Sequence, residues 1–423
     1  MIKTIAISAL ALCTSVASAQ VSATRAATQL EWRQDLDYLA QRLPEVHPDP
    51  FANISEEEWR GAVSDLRDEI ISLSEGQTTF EICKLIAMLG DQNTTADVGI
   101  PMNLAPILPV KFTRLSDGIY IIAATGRHKS AIGKRVLSIG GVPIELLEER
   151  VSELVPWDNE STRRTVVTDY MHFPAALRVA VGLDMRAGIL LEVEKDGEPV
   201  MRQLNSIPFG GTHQWNSWLA TSDVPLPVAF QLAQAPYSSS LMPMDSAMFI
   251  SYAEPASYEE YPFESFASDV LNDAGEHNAT RVVIDLRFNA GRAPSVIDPL
   301  LNELQGRGYF ERPGSVAVLI GRSTAGSGAT DAQRLRELGA VIVGEPTGGN
   351  PFGFRGREDI VLPRSNMRIA CSTEDRPPYD GDRPSSVEPD VLVPWSSKDM
   401  FGAKDPALEA ALKYAPENPP GEG

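Results

Sequence analysis

Apolar positions change their period twice along this chain, and each change marks a new kind of structure. From Leu30 to Leu89 the spacing is helical. Trp32, Leu36, Leu39, Ala40 and Leu43 make one stripe, and Trp59, Val63, Leu66 and Ile70 make another. Ser55 with Glu58, and Thr78 with Glu81, stand at capping-box spacing, and Gly90 is a natural stop for a third helix. Residues 106–205 then alternate or run apolar between glycines, in ILPVKFTRL, GIYIIAAT, KRVLSIGG and GILLEVEKDGEPVMRQL. That pattern predicts mostly strands, with one helix from Pro143 to Val155. A Pro- and Ser-rich stretch from Asn216 to Asp245 predicts a linker or long crossover.

Beyond it the period changes again. Strands predicted at 247–253, 281–288, 315–320 and 340–344 alternate with helices near 257–274, 294–306 and 328–338. A β-α-β rhythm of this kind calls for a largely parallel, buried sheet with right-handed crossovers. EDIVLP and MRIACST add strands, 374–390 is a Pro/Asp-rich loop, and Asp405 to Tyr414 is a closing helix. Within this region RVVIDLRFNAGR (281–292), SVAVLIGRSTAGSGATDAQRL (315–335) and GAVIVGEPTGGNP (339–351) each lead an apolar strand into a turn of small residues. Such turns, with a helix N-terminus among them, present backbone N–H groups to an anion, as an oxyanion hole requires.

The N-terminus reads as a secretory signal over residues 1–19. Lys3 supplies the positive end, Ile5 to Leu12 the apolar run, and Ala17-Ser18-Ala19 the small-residue cleavage site. The run is too short to span a bilayer. Leu12 before Cys13 is larger than lipoprotein processing usually tolerates, so soluble export, periplasmic or secreted, is the expectation. The chain of 423 residues carries a formal charge of −20, which argues against nucleic acid or anionic membrane as partners. Cys83 and Cys371 lie in apolar contexts, ICKLIAML and MRIACST, where buried thiols are at least as natural as a disulfide. No cluster has metal-ligand spacing, and no cofactor is implied.

Seven motifs in order resemble the tail-specific, or C-terminal-processing, serine peptidase family, in its tricorn-core-like branch. They are HPDPF (47–51), KLIAMLGDQNTT (84–95), DGIYIIAATGRHKSAIGKRVLSIGGVPIELL (117–147), VVIDLRFNAGR, VGEPTGG, IVLPRSNMRI and VEPDVLV (387–393). The resemblance covers nearly all of the chain after the signal. It implies an α/β fold with a ClpP/crotonase-like β-α-β core (240–415), an N-terminal helical subdomain (23–100) and a PDZ-like β module (105–215). It further implies strands that close the core at IVLPRSNMRI and VEPDVLV. For function it implies a nucleophilic serine before a core helix, with a histidine or lysine base, acting on peptide or protein C-terminal segments.

This sequence departs from the family at each reacting position. The family nucleophile position is Gly326, its histidine position Asn93, its lysine position near Asn350, and its second oxyanion glycine Arg292. An arginine fits poorly if that turn needs positive φ, although its guanidinium can itself occupy an anion site. Asp382 is the nearest candidate for an orienting acid. Ser327, between Gly326 and Gly328, is the candidate nucleophile, with Gly291 and the Gly328 region as candidate oxyanion donors. The competing assignment for Ser327, a helix N-cap, is preferred because capping needs no base. His47 is read as structural, and Asp285 with Arg287 as an ion pair tying the sheet to the glycine turn. The expected function is therefore peptide binding without the family's hydrolytic machinery. The alternatives are a serine peptidase using Ser327, or a hydrolase of small esters or amides on the same frame.

Overall fold

The computed structural model describes residues 27–98, 106–183, 188–209, 213–221 and 225–415; the signal segment 1–19 lies outside them. Three helices open the described chain: α1 (Gln29–Val46), α2 (Glu56–Glu69) and α3 (Glu75–Ala87). Each begins with a reciprocal capping box, from Thr28 with Glu31, Ser55 with Glu58, and Ser74 with Gln77. The third box is Ser74 and Gln77 rather than Thr78 and Glu81. Thr78 lies buried within α3, where its hydroxyl is unavailable to start a helix.

The middle region carries β1 (Thr95–Asp97), β2 (Pro106–Ile107), β3 (Val110–Leu115), β4 (Gly118–Thr125), β5 (Val136–Ile139) and β6 (Val142–Pro143). After three helices, α4 (Ile144–Ser152), α5 (Glu160–Tyr170) and α6 (Pro174–Val181), come β7 (Ile189–Lys195), β8 (Glu198–Leu204), β9 (Ile207–Pro208) and β10 (Trp215–Ser217). Three antiparallel sheets result, ordered β10-β4-β3, β6-β5-β7-β8 and the pair β2-β9. The helices α5 and α6 were not expected in a stretch read mostly as strands. Asn159 caps α5 by accepting from the Thr162 N–H, and Pro174 opens α6, both standard start signals. One continuous core joins the opening helices to this region, with Trp32, Leu36 and Trp59 in the same cluster as Val136, Leu191 and Ile369.

The stretch expected as a linker holds structure of its own: α7 (Trp218–Thr221), α8 (Val228–Leu232) and β11 (Tyr237–Met242). From there the chain runs β12 (Ala247–Tyr252), α9 (Phe263–Glu276), β13 (Arg281–Asp285), α10 (Asp298–Gly306), β14 (Val316–Ile320), α11 (Gly326–Glu337) and β15 (Val341–Gly344). It then adds β16 (Glu358–Val361), β17 (Arg368–Cys371), β18 (Val391–Leu392), α12 (Ser397–Phe401) and α13 (Pro406–Lys413). The principal sheet has six strands in the order β11-β12-β13-β14-β15-β18. Only the β11–β12 pair is antiparallel, and the other four are parallel. Phe266, Leu300 and Leu335 of α9, α10 and α11 cover one face; Ala229 of α8 and Leu408 of α13 cover the other. Burial on both faces explains why these strands are continuously apolar.

Two expectations about the closing strands divide. VEPDVLV supplies β18, an edge of the principal sheet. IVLPRSNMRI instead forms β16 and β17, which pair with each other, β17 also pairing with β1, in a separate three-stranded sheet. Alternation in a strand specifies which face is buried, not which strand lies beside it. Cys83 and Cys371 are both buried and free, and burial raises each thiol to about 12.

One buried ionic group fastens the C-terminal helix to the sheet. The Arg287 guanidinium donates to both Asp285 oxygens, at 3.0 and 2.8 Å, and to both Asp405 oxygens, at 2.7 and 2.8 Å. Asp405 also caps α13 by accepting from the Leu408 N–H at 3.0 Å. Burial pushes the Asp405 carboxyl upward, but Arg287 and the cap together hold it below its usual range. A depressed carboxylate stabilises the fold above its unfolded pKa and loses that contribution as pH falls through the folded value. Asp405→Asn is therefore expected to lower unfolding stability at neutral pH by about 3–5 kcal/mol, the usual cost of breaking a buried pair on one side. Denaturant titration should show the deficit shrinking as pH falls below about 4, where the unfolded-state carboxylate begins to protonate, and on through the lower folded value.

Candidate active site

Three turns converge at the C-terminal ends of the parallel strands, and backbone rather than side chain fills the space between them. After β13 the chain turns through Asn289, whose Oδ1 accepts from the Gly291 N–H at 2.9 Å and whose Nδ2 donates to the Tyr252 carbonyl at 3.2 Å. After β14, buried Thr324 donates its hydroxyl to the Leu286 carbonyl at 2.8 Å, and the Ala325 N–H donates to the Asn289 carbonyl at 3.0 Å. After β15, the Gly349 N–H donates to the Thr324 carbonyl at 2.8 Å.

Glycine is required at each meeting point. Gly291 has φ +60° and Gly326 φ +50°. A Cβ on Gly326 would stand 2.5 Å from the Gly291 carbonyl oxygen, and one on Gly291 would stand 2.2 Å from both the Ala325 oxygen and the Ser327 nitrogen. A Cβ on Gly349 would lie 2.4 Å from the Ala325 Cα. A side chain at 326 thus meets both a disfavoured backbone conformation and a neighbouring backbone that cannot give way.

The residues singled out from the sequence fall around these turns as follows. Ser327 is the second residue of α11, whose N-cap is Ala325, so the expected capping role is not the one it has. Its hydroxyl donates to the Ala293 carbonyl at 2.7 Å, its one hydrogen-bond partner among the described residues. The Gly291 N–H is engaged by Asn289, and the Gly328 N–H donates to the Ala325 carbonyl at 2.9 Å, so neither expected oxyanion donor is free. Arg292 does not need positive φ, since the left-handed residue of this turn is Gly291 alone. Asp382 is exposed and does not line the cleft described below, because its loop runs along the outside of the molecule.

The base positions are equally committed. Asn93 Nδ2 donates to the Phe354 carbonyl at 2.8 Å, and Asn350 Nδ2 donates to Asp158 Oδ2 at 2.9 Å. The acid nearest Asn93 in the chain is Asp91, a residue the sequence reading passed over. His47 approaches it: its Nδ1 accepts from the Asp49 N–H at 3.2 Å, which places the ring proton on Nε2, 3.1 Å from Asp91 Oδ2. Burial pushes the Asp91 carboxyl upward, yet His47, the Thr94 and Ser372 hydroxyls and the Asn93 N–H together hold it below its usual range. Both ring nitrogens of His47 are thus used within a buried structural network. Asp158 has the acidity closest to neutral, its carboxyl lifted by burial to about 7, but it too lies outside the cleft lining.

The cleft itself has a volume of about 1130 Å3. Gly291, Arg292 and Gly326 lie on its floor with Asn93 beside them, so the positions matched to the family's nucleophile, base and oxyanion turn do share one site. One wall is aromatic, from Trp218, Phe230, Phe288 and Trp395. Further lining comes from β3 and α5, through Phe112, Arg114, Arg164 and Thr165 among others. Among the described residues no group of three His, Cys, Asp or Glu could hold a metal ion, and no helix is long and apolar enough to cross a membrane.

No protein-family model matches the chain, and no curated protein matches it in sequence. Solved structures do match. Mature CPAF complexed with lactacystin is 13% identical, with 91% of this chain and 97% of that one covered and a TM-score of 0.61. Mature CPAF alone gives 13% identity over the same shares, with a TM-score of 0.59. At such identity the likeness establishes fold and nothing finer. The chain is a mixed α/β protein that shares its fold with CPAF.

Proposed function

We propose that this protein is an exported, peptide-binding member of the tail-specific peptidase fold that holds peptide C-terminal segments without cutting them. The observation that carries the reading is the contact between Gly326 and Gly291: the family's nucleophile position has no room for a side chain. Hydrolysis needs a nucleophile, a base and two free N–H donors. Here the neighbouring hydroxyl of Ser327 bonds to a carbonyl, amides occupy the base positions, and the candidate N–H donors are engaged.

Binding asks for less. The β-rich region matched to the PDZ-like module contributes β3, which pairs with β4 on one side and is an end strand of its sheet. Phe112, Thr113, Arg114 and Leu115 of β3 all line the cleft. An extended peptide added along such an edge gains main-chain hydrogen bonds, with the aromatic wall available to its side chains. None of this depends on a catalytic group. The principal sheet, with its crossover helices, corresponds on this reading to the ClpP/crotonase-like core.

Three outcomes are expected. A fluorophosphonate probe should leave no adduct on the purified protein by mass spectrometry; a Ser327 adduct that disappears in Ser327→Ala would instead establish the hydrolase alternative. Peptides with a free C-terminus should bind by fluorescence anisotropy and be recovered uncut, and N-methylating one bonded peptide amide should weaken binding about fivefold, the value of one net hydrogen bond. Gly326→Ser should create no hydrolysis and should lower stability by roughly 1–3 kcal/mol, the cost of a strained backbone position. Peptide turnover by Gly326→Ser would show that the turn can open after all.

A further inference from the structure

We infer that the cleft selects ligands bearing carboxylates, and, on the peptide-binding reading above, peptides with acidic side chains. The protein as a whole is strongly acidic, at −20, so an arginine-rich cleft within it stands against the background. Five arginines line the cleft, Arg114, Arg164, Arg287, Arg292 and Arg322, against the acids Asp169, Glu254 and Glu345. Arg287 is fully matched by Asp285 and Asp405 and contributes no free charge.

Of the other four, Arg322 and Arg114 each have one carboxylate partner, and Arg164 and Arg292 are under-matched. Arg322 faces Glu345 at 3.4 Å, and Arg114 faces Glu148 at 3.3 Å. Glu160 alone serves both Arg163 and Arg164, at 2.6 and 2.7 Å, which leaves one guanidinium without its own counter-charge. No carboxylate among the described residues pairs with Arg292, which is exposed beside Gly291 on the cleft floor. The strain is visible at Arg322. Its guanidinium is held below its usual pKa by burial and by repulsion from Arg164 and Arg114, which Glu345 does not offset. A carboxylate entering between these groups would relieve that repulsion and accept charge-assisted, bidentate hydrogen bonds. The aromatic residues of the same lining leave the remainder of the ligand apolar contact.

The test uses the full mature protein and two peptides of equal length with free C-termini, one carrying glutamates and the other glutamines at the same positions. Glutarate serves as a small dicarboxylate with no peptide backbone. At about 0.15 M salt, where bulk charge is screened within about 8 Å, the acidic peptide should bind by anisotropy at least about tenfold more tightly. In the double variant Arg164→Gln/Arg292→Gln, both sites being solvent-accessible, the two peptides should converge to within about twofold, with unfolding unchanged. Equal binding of both peptides to the wild type would overturn the inference and leave the peptide-binding reading standing. If neither peptide binds but glutarate does, in calorimetry, and the double variant abolishes it, carboxylate selection stands and the peptide reading fails. Binding of neither peptide and no glutarate signal would overturn both.

Discussion

The backbone contact among Gly291, Gly326 and Gly349 governs the rest of the site. Three strands of a parallel sheet deliver three turns to one point, and the turns lie so close that no Cβ fits between them. Everything around that point follows from the closeness. Asn289 must close the first turn through its own amide, Thr324 must tie the second to the first strand's end, and Gly349 must donate across to the second. A packing of this kind is rigid, because backbone atoms cannot change rotamer to absorb a clash. The polar groups are satisfied internally, which is what makes them poor recipients for a developing charge.

The sheet was legible in the sequence because burial on both faces leaves an unmistakable trace. VVID, VAVLI and VIVG are continuous apolar runs bounded by small residues, and each became a parallel strand. The helices α5 and α6 were less legible, since Glu160–Tyr170 carries four charged residues among its eleven and shows little apolar stripe. Its start was nonetheless written in Asn159. Pairing partners were not written at all: β16 and β17 have the right alternation for a closing role, yet lie against β1.

At the site, glycine positions were readable and their consequences were not. The sequence marks Gly291 and Gly326 as turn residues, but only three dimensions reveal that each excludes a side chain from the other. Asp382 lies outside the cleft, whereas Asp91 meets the buried His47 across 44 residues. The arginines that line the cleft had no signal in the composition. Arg114, Arg164 and Arg322 are dispersed over more than two hundred positions of an acidic chain, and the fold alone assembles them.

The mutual exclusion at Gly291 and Gly326 also bears on how such a scaffold can change over time. Replacing either glycine singly meets an immovable carbonyl or amide of the other turn, so the first step toward a reacting side chain lowers fitness of the fold before it offers chemistry. Coordinated shifts in both loops would have to arrive together. The arrangement thus acts as a ratchet that holds both glycines in place while the surrounding lining stays free to change.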